Sequence, residues 1–501
     1  MVLQGWCVKD LSPRPKPFGK ICCLRRLISA LARSYLIVCI CTCHRFSFHL
    51  LPLTSVHLRQ QRYRPTMLEK PLLYARLFLW ACRVLYHMGR QKAIASWNRS
   101  TLGLLGSSPP VERDRNIVIV GANFAGYHCA KILTDILPLN SRYKVVVVEP
   151  NSHFQFTWVL PRFCVVKGHE HKAYVPYGGQ LRNAPEGSVE WIRDRVVDVS
   201  TDNVKLQNGQ HVSYDYLVIA TGSEIDGGLP TRANTTEKRE AVRLLQEMQQ
   251  RIEAAGKIVV VGGGAAGVEL TADAQHKYPR KKITLVHSRS AVMHRFGKGL
   301  QKAALEALET LGCEVVLNDR VVSEDAAAKK VTLKSGRVIE CDLFINCTGQ
   351  KPASGFLKRL APGSITETGN ISVKPTLQIA DDNLPNIYVC GDVADTKTPN
   401  PNARSASRQA SVVADNILLE TQGKLPRYTY KSDWADGQIL LTLGLERAMM
   451  HCGDGKAELL IETKEKEEEL MAARAWTGLG EKPYEDAYMD AENAKSNESA
   501  V

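Results

Sequence analysis

From Asn116 onward the hydrophobic positions stop being scattered and gather into short unbroken runs: NIVIV (116–120), KVVVVE (144–149), KIVVV (257–261) and KITLVH (282–287). Unbroken apolar runs, as opposed to alternating ones, predict strands buried on both faces. Within each pair the runs are separated by a glycine-bearing turn and a stretch of helical spacing, the first reaching Leu137. Strand, turn, helix and strand, occurring twice, predict a parallel α/β architecture present in two copies. A later apolar run, NIYVCGDVADTKTP (386–399), ends in Gly391-Asp392 and precedes a helical stretch at 402–418.

A longer repeat supports duplication. NVKLQNGQHVSYDYLVIATG (203–222) overlays KVTLKSGRVIECDLFINCTG (330–349) without a gap, at one offset of 127. Val204/Val331, Leu206/Leu333, Gly209/Gly336, Asp215/Asp342, Thr221/Thr348 and Gly222/Gly349 all keep that register. Each copy predicts a hairpin turning at the glycine and an apolar strand ending in Thr-Gly.

The N-terminal part is different. Residues 1–66 show no clear period, and the apolar run YLIVCICTC (35–43) is too short to span a bilayer. Residues 71–89 (PLLYARLFLWACRVLYHMG) predict an amphipathic helix with Arg76 and Arg83 on one face, suited to a membrane interface. An Arg-rich, acid-poor leader also has the character of a mitochondrial transit peptide, and Met67 is an alternative start.

Charge sharpens this division. Residues 1–99 hold 17 Lys/Arg against Asp10 and Glu69, a net of +15, while the whole 501-residue chain carries +13. The body is therefore near neutral, which argues against nucleic acid as a partner. Of 14 cysteines, seven precede residue 99; the rest are scattered, with no CxxC, as in a reduced intracellular protein. His169-Glu-His171 lacks further ligands at sensible spacing, so no metal is expected, and KEKEEE (464–469) reads as a solvated helix face.

The turns carry the chemistry. A dinucleotide pyrophosphate needs backbone N–H groups at a helix N-terminus and close approach, which side chains obstruct. Gly262, Gly264 and Gly267 in GGGAAG fit this pattern fully. The first turn, Gly121-Ala122-Asn123-Phe124-Ala125-Gly126, has Asn123 at the middle glycine, a residue that tolerates positive φ. Glu149 closes the next strand, where a carboxylate can accept ribose hydroxyls. After the second turn the corresponding place, 20 residues past Gly267, holds His287, with Arg289 two further on. Nothing there repels a 2′-phosphate, so NADPH as well as NADH is expected; alternatively Arg289 is a surface residue and a neighbouring acid acts.

Together these motifs resemble the pyridine nucleotide–disulfide oxidoreductase superfamily, over about Asn116 to Leu419. Without a redox cysteine pair the chain is similar to the apoptosis-inducing-factor-like group and its ferroptosis-suppressor (mitochondrion-associated inducer of death) subgroup. The resemblance implies two Rossmann-like domains, the second inserted in the first: a basic extension (1–114), FAD-binding segments (115–235 and 351–422), an NAD(P)H-binding domain (236–350) and a C-terminal region (423–501). It implies FAD on the first turn and Glu149, with Ala220-Thr221-Gly222 against the flavin, Gly391-Asp392 on its ribityl chain, and NADH or NADPH on the second turn near Gly349. Glu269 is expected at the nicotinamide end, although a helix N-terminal acid favoured by the dipole is an equal reading. Lys431 and Gln409 are expected to face the flavin and the quinone side. The implied activity is hydride transfer from NAD(P)H to flavin and onward to a quinone, at a mitochondrial outer or other intracellular membrane, or after import. Other readings are a type II NADH dehydrogenase, a ferredoxin- or rubredoxin-type reductase, and a flavin-dependent death-signalling protein with little turnover. The oligomeric state is open.

Overall fold

The computed structural model describes residues 69–105, 112–225 and 227–486; the expectations for 1–66 and for Met67 lie outside them. The elements that position the site are α1 (Glu69–Leu105), β1 (Arg115–Val120), α2 (Phe124–Ile136), β2 (Tyr143–Val148), β3 (Val189–Ile192) and β4 (Tyr216–Ile219). They continue with α3 (Lys238–Ala254), β5 (Lys257–Val261), α4 (Ala265–Lys277), β6 (Lys282–His287), α5 (Lys298–Thr310), β7 (Glu314–Leu317), β8 (Leu343–Asn346), β9 (Ile387–Val389) and α6 (Ala403–Thr421). The C-terminal part holds β10 (Ile439–Thr442), β11 (Arg447–Gly453), β12 (Glu458–Lys464) and α7 (Ala472–Gly478).

Two parallel sheets result, ordered β9-β4-β1-β2-β3 and β7-β6-β5-β8. β9 rejoins the first sheet after the whole second sheet has been laid down, so the second α/β unit is inserted in the first. The unbroken apolar runs follow from covering both faces. Ile117, Ile119, Val145 and Val147 belong to one buried cluster with Leu133 of α2 and Val413 and Ile417 of α6, while Val118, Val120, Val146 and Val148 belong to another with Val204, Leu206 and Ile371. Each such side chain contributes about 1.5–3 kcal/mol by leaving water.

The repeat at offset 127 appears as two three-stranded antiparallel sheets with hairpins turning at Gly209 (φ +92°) and Gly336 (φ +88°). The repeated aspartates have one job in both copies. Asp215 accepts from the Asn116 amide and Asp342 from the Lys257 amide, both at 2.9 Å, fixing the first residues of β1 and β5.

Two expectations change. Residues 465–471 form no helix; Glu468 and Glu469 instead reach His169 and Lys172, so that charge run is used in tertiary ion pairs. The 71–89 helix is part of the longer α1, in which Arg83 is exposed while Arg76 is drawn into an ion pair. Leu73, Trp80, Gln91 and Ala95 are buried, Arg76 pairs with Asp454 at 2.7 Å, and Arg90 pairs with Asp415 of α6. Asn98 donates to the carbonyls of Ile136 and Leu137, covering the end of α2. The opposite face of α1 exposes Leu72, Tyr74, Phe78, Leu79, Leu85 and Tyr86, with Phe78 68% and Tyr86 69% exposed. Among the described residues no helix is long and apolar enough to cross a membrane.

Candidate functional site

Both turns are built by the same close approach. A side chain on Gly126 would overlap the Gly121 carbonyl, and one on Gly267 would overlap that of Gly262. Gly121 (φ +92°) lies against the Ala220 carbonyl, and Gly262 (φ +116°) against Cys347 and Thr348, so each Thr-Gly strand end backs a turn. At the middle position Asn123 has φ −86° and Gly264 φ −83°. The asparagine is accommodated because this position does not call for a left-handed backbone, rather than because asparagine tolerates one.

The helices α2 and α4 carry no side-chain cap at their N-termini, and a Cβ on Gly264 would meet nothing within 4 Å. Free first-turn amides beside open space fit a pyrophosphate. By contrast α6 is capped by its own Asn402, whose side chain takes the Arg404 and Ser405 amides, leaving its dipole less available to a ligand. Gly391 and Asp392 nevertheless stand at the first turn: a Cβ on Gly391 would lie 3.2 Å from Ala125 Cβ. Burial raises the Asp392 carboxyl, with Arg232 opposing that rise.

The two strand ends show how His287 replaces an acid. Glu149 is buried and accepts from the Ala122 amide at 2.6 Å and from the Asn151 amide at 2.8 Å; burial raises its pKa. Gly263 is the counterpart of Ala122, and its amide donates to His287 Nδ1 at 3.1 Å. Burial, with His294 and Arg289 nearby, lowers His287 to about 4. The ring is therefore neutral, accepts through Nδ1, and carries its proton on Nε2, which faces His294 Nδ1 at 3.3 Å. Arg289 is exposed beside it.

Glu269, just past the first turn of α4 and so not the first-turn acid the sequence suggested, points to the C-terminal sheet, where Oε1 accepts from the Thr442 amide of β10 at 3.2 Å. Burial, reinforced by Asp273 one turn further on, raises it to about 8. Asp273 itself is fully buried and held by Arg162 at 2.7 Å, and Arg162 also donates to the Gly444 carbonyl. This joint between α4, the short helix Leu160–Phe163 and the β10–β11 turn was not visible in the sequence; only an arginine and an aspartate amid apolar neighbours signalled it. Gln409 is buried, its Oε1 accepting from the Gly391 amide at 2.7 Å and its Nε2 reaching Thr396. It thus fixes the Gly-Asp turn. Lys431 is exposed, and its carbonyl accepts from Arg408.

The cysteines Cys82, Cys129, Cys164, Cys313, Cys341, Cys347, Cys390 and Cys452 are free thiols. His169, Glu170 and His171 diverge to different partners, and no group among the described residues is placed to hold a metal ion.

The fold and paired turns define a two-dinucleotide flavoprotein, and the comparisons agree. Residues 115–410 match the model of the pyridine nucleotide-disulphide oxidoreductase family, and the chain belongs to that family. It is 31% identical over 394 residues to Fe-regulated protein 8 of Mycosarcoma maydis, covering 74% of this chain and 96% of that protein. It is 27% identical to human (Homo sapiens) ferroptosis suppressor protein 1, covering 76% and 100%. Among solved structures, the sulfide:quinone oxidoreductase of Aquifex aeolicus shares the fold with a TM-score of 0.58 at 17% identity, over 72% of this chain and 90% of that one. The chain is an NAD(P)H-dependent flavin oxidoreductase, with FAD and NAD(P)H as its nucleotides.

Proposed function

We propose that the chain passes electrons from NADH or NADPH through FAD to a quinone-type acceptor, at the surface of an intracellular membrane. The observation that carries the membrane and quinone reading is the outward apolar face of α1 (Leu72, Tyr74, Phe78, Leu79, Leu85 and Tyr86), held rigidly by Arg76 and Arg90. An apolar face with aromatics, following a strongly basic leader, suits insertion among lipid headgroups. A membrane-dissolved quinone is then within the enzyme's own phase.

The first turn with Glu149, Ala220-Thr221-Gly222 and Gly391-Asp392 holds FAD, which when bound accepts hydride from the nicotinamide. The second turn, Gly349 and His287 hold NAD(P)H, with Arg289 pairing a 2′-phosphate. A neutral imidazole at the acid's place admits both nucleotides. Glu269, protonated at neutral pH, orients the nicotinamide end and handles a proton there. Gln409 acts through the Gly391 turn, and Lys431 faces the flavin.

The test is anaerobic addition of NADH or NADPH to the full-length protein, following flavin absorbance. Reoxidation by a ubiquinone-type quinone in vesicles follows. Bleaching by both nucleotides and reoxidation by the quinone are expected. Bleaching without reoxidation overturns the quinone acceptor; bleaching by NADH alone overturns the role of His287 and Arg289.

A further inference from the structure

An unbroken series of hydrogen-bonded side chains runs from the Gly391 turn to the segment 430–436. Gln409 Nε2 donates to Thr396 Oγ1 at 3.3 Å, and the Thr396 and Thr398 hydroxyls lie 2.8 Å apart. Thr398 Oγ1 is 3.1 Å from the buried Tyr430 hydroxyl, which donates to Asp436 Oδ2 at 3.4 Å. Asp436 in turn pairs with Arg408 of α6, which is partly exposed.

Two features of this series exceed what packing needs. Lys397, between the two threonines, has φ +56°, a left-handed backbone that costs a lysine energy, and the turn it makes brings the two hydroxyls together. Asp436 is fully buried, yet its Oδ1 has no partner, whereas a carboxylate placed only to neutralise Arg408 would use both oxygens. Burial raises this carboxyl; Arg408 opposes the rise and the Asp433 charge adds to it. The groups facing Asp436 are thus Arg408 from α6, Asp433 from its own segment and the Tyr430 hydroxyl, while Arg404 donates to its carbonyl at 3.2 Å.

The reaction needs such a series. Quinone reduction takes two electrons and two protons, and the hydride of NAD(P)H brings both electrons and one proton. The balance is NAD(P)H + H⁺ + quinone giving NAD(P)⁺ + quinol, so the second proton comes from water. A hydroxyl both donates and accepts, so a row of them behind a carboxyl can pass a proton on. With Asp436 ionised, Thr396, Thr398 and Tyr430 donate outward in turn, and the Gln409 amide fills the inner end. When Asp436 takes a proton it becomes a donor, and the three hydroxyls turn to donate inward. A proton then leaves at Thr396, each O–H bond broken being replaced by one formed from the outer neighbour.

We propose that Asp436, Tyr430, Thr398 and Thr396 form a proton relay that supplies the acceptor's second proton beside the Gly391-Asp392 turn. The relay rests on the quinone reading of the function.

The test uses the full-length holoenzyme as wild type, Tyr430→Phe, Thr398→Val and Asp436→Asn. Flavin bleaching by NADPH, which takes a hydride and no proton from water, is expected to keep its wild-type rate in all of them. Reoxidation by a ubiquinone-type quinone is expected to slow by roughly tenfold or more in each variant, with a larger solvent deuterium isotope effect than in wild type. Infrared difference spectra of the resting protein between acid and neutral pH are expected to contain a protonated-carboxyl band that Asp436→Asn removes and Tyr430→Phe shifts. Wild-type reoxidation rates in both Tyr430→Phe and Thr398→Val overturn the relay. Slowed reoxidation with an unchanged isotope effect overturns it too, since a merely structural loss would act that way. Asp436→Asn deprives Arg408 of its counter-charge; if it does not fold, the two uncharged variants decide alone. A wild type that the quinone does not reoxidise overturns the proposed function and the relay with it, an outcome read without any variant.

Discussion

Replacing Glu269 by glutamine separates a protonated carboxyl from an ionised one at the joint between α4 and β10. The carboxyl rises from its ordinary 4.5 to about 8, chiefly through burial and then through Asp273, against the opposing Thr442 amide and Arg162. It is then about nine-tenths protonated at pH 7. Between 4.5 and 8 the folded protein binds more protons than the unfolded chain, so stability falls as pH rises through this window and levels off above it. The full shift corresponds to a ceiling of about 5 kcal/mol. Glu269 is only part-buried, so solvent screening reduces this to on the order of 2–3 kcal/mol. Glutamine keeps the acceptor for the Thr442 amide and cannot ionise. The urea midpoints of wild type and Glu269→Gln are therefore expected to coincide near pH 5, separate up to about pH 8 and run parallel above it, the variant being the more stable at the alkaline end. Midpoints are the proper comparison because a multidomain flavoprotein does not unfold in one step. A constant offset from pH 5 to 9, or a variant that loses ground as pH rises, would refute a protonated Glu269.

Asp273→Asn leaves Arg162 buried without its counter-charge and is expected to cost about 3–5 kcal/mol in stability, read as a lowered thermal midpoint with bound FAD. His287→Asp puts a carboxylate at the nucleotide's ribose end and is expected to reduce kcat/KM for NADPH on the order of tenfold or more relative to NADH; an unchanged ratio removes the residue from nucleotide choice. Because His287 already sits near 4, the wild-type NADPH-to-NADH ratio is expected to show no step from its titration between pH 6 and 8. Phe78→Ser with Leu79→Ser is expected to release the protein from anionic vesicles while leaving reduction of a water-soluble acceptor intact, measured by co-sedimentation and steady-state rates.

Much of the fold was legible because its signals are local. The runs in β1, β2, β5 and β6 are apolar at every position since each strand is covered twice, and the repeat from Asn203 and Lys330 carries the same hairpin and the same strand-start clamp. The helix α1 was only half legible: its hydrophobic content was plain, but that one apolar face docks on α2 and α6 while the other stays outward depends on Asp454 and Asp415, which lie far away in sequence. The same limit hid Arg162 with Asp273, whose partners meet only after the inserted domain has folded back.

The paired turns show where pattern reading stops and geometry begins. By pattern, Asn123 is a defect in the first turn and His287 a missing acid after the second. In space, Asn123 sits at a negative φ of −86° that does not require glycine, and His287 Nδ1 takes the amide hydrogen equivalent to the one Glu149 takes in the other copy. Both positions keep the backbone contact while changing what is presented to the ligand. On the proposed reading, the glutamate offers a carboxylate to neutral hydroxyls. On the same proposed reading, the histidine offers a neutral ring beside an arginine, where an added phosphate would be tolerated. If the two copies diverged under that one constraint, exchanging the groups tests it. His287→Glu should retain the Gly263 contact and thermal stability while turning the second site towards NADH, whereas Glu149→His should keep the fold and weaken FAD. Destabilisation of both variants at the level of secondary structure, with no change in nucleotide preference, would show that these side chains serve the turn alone.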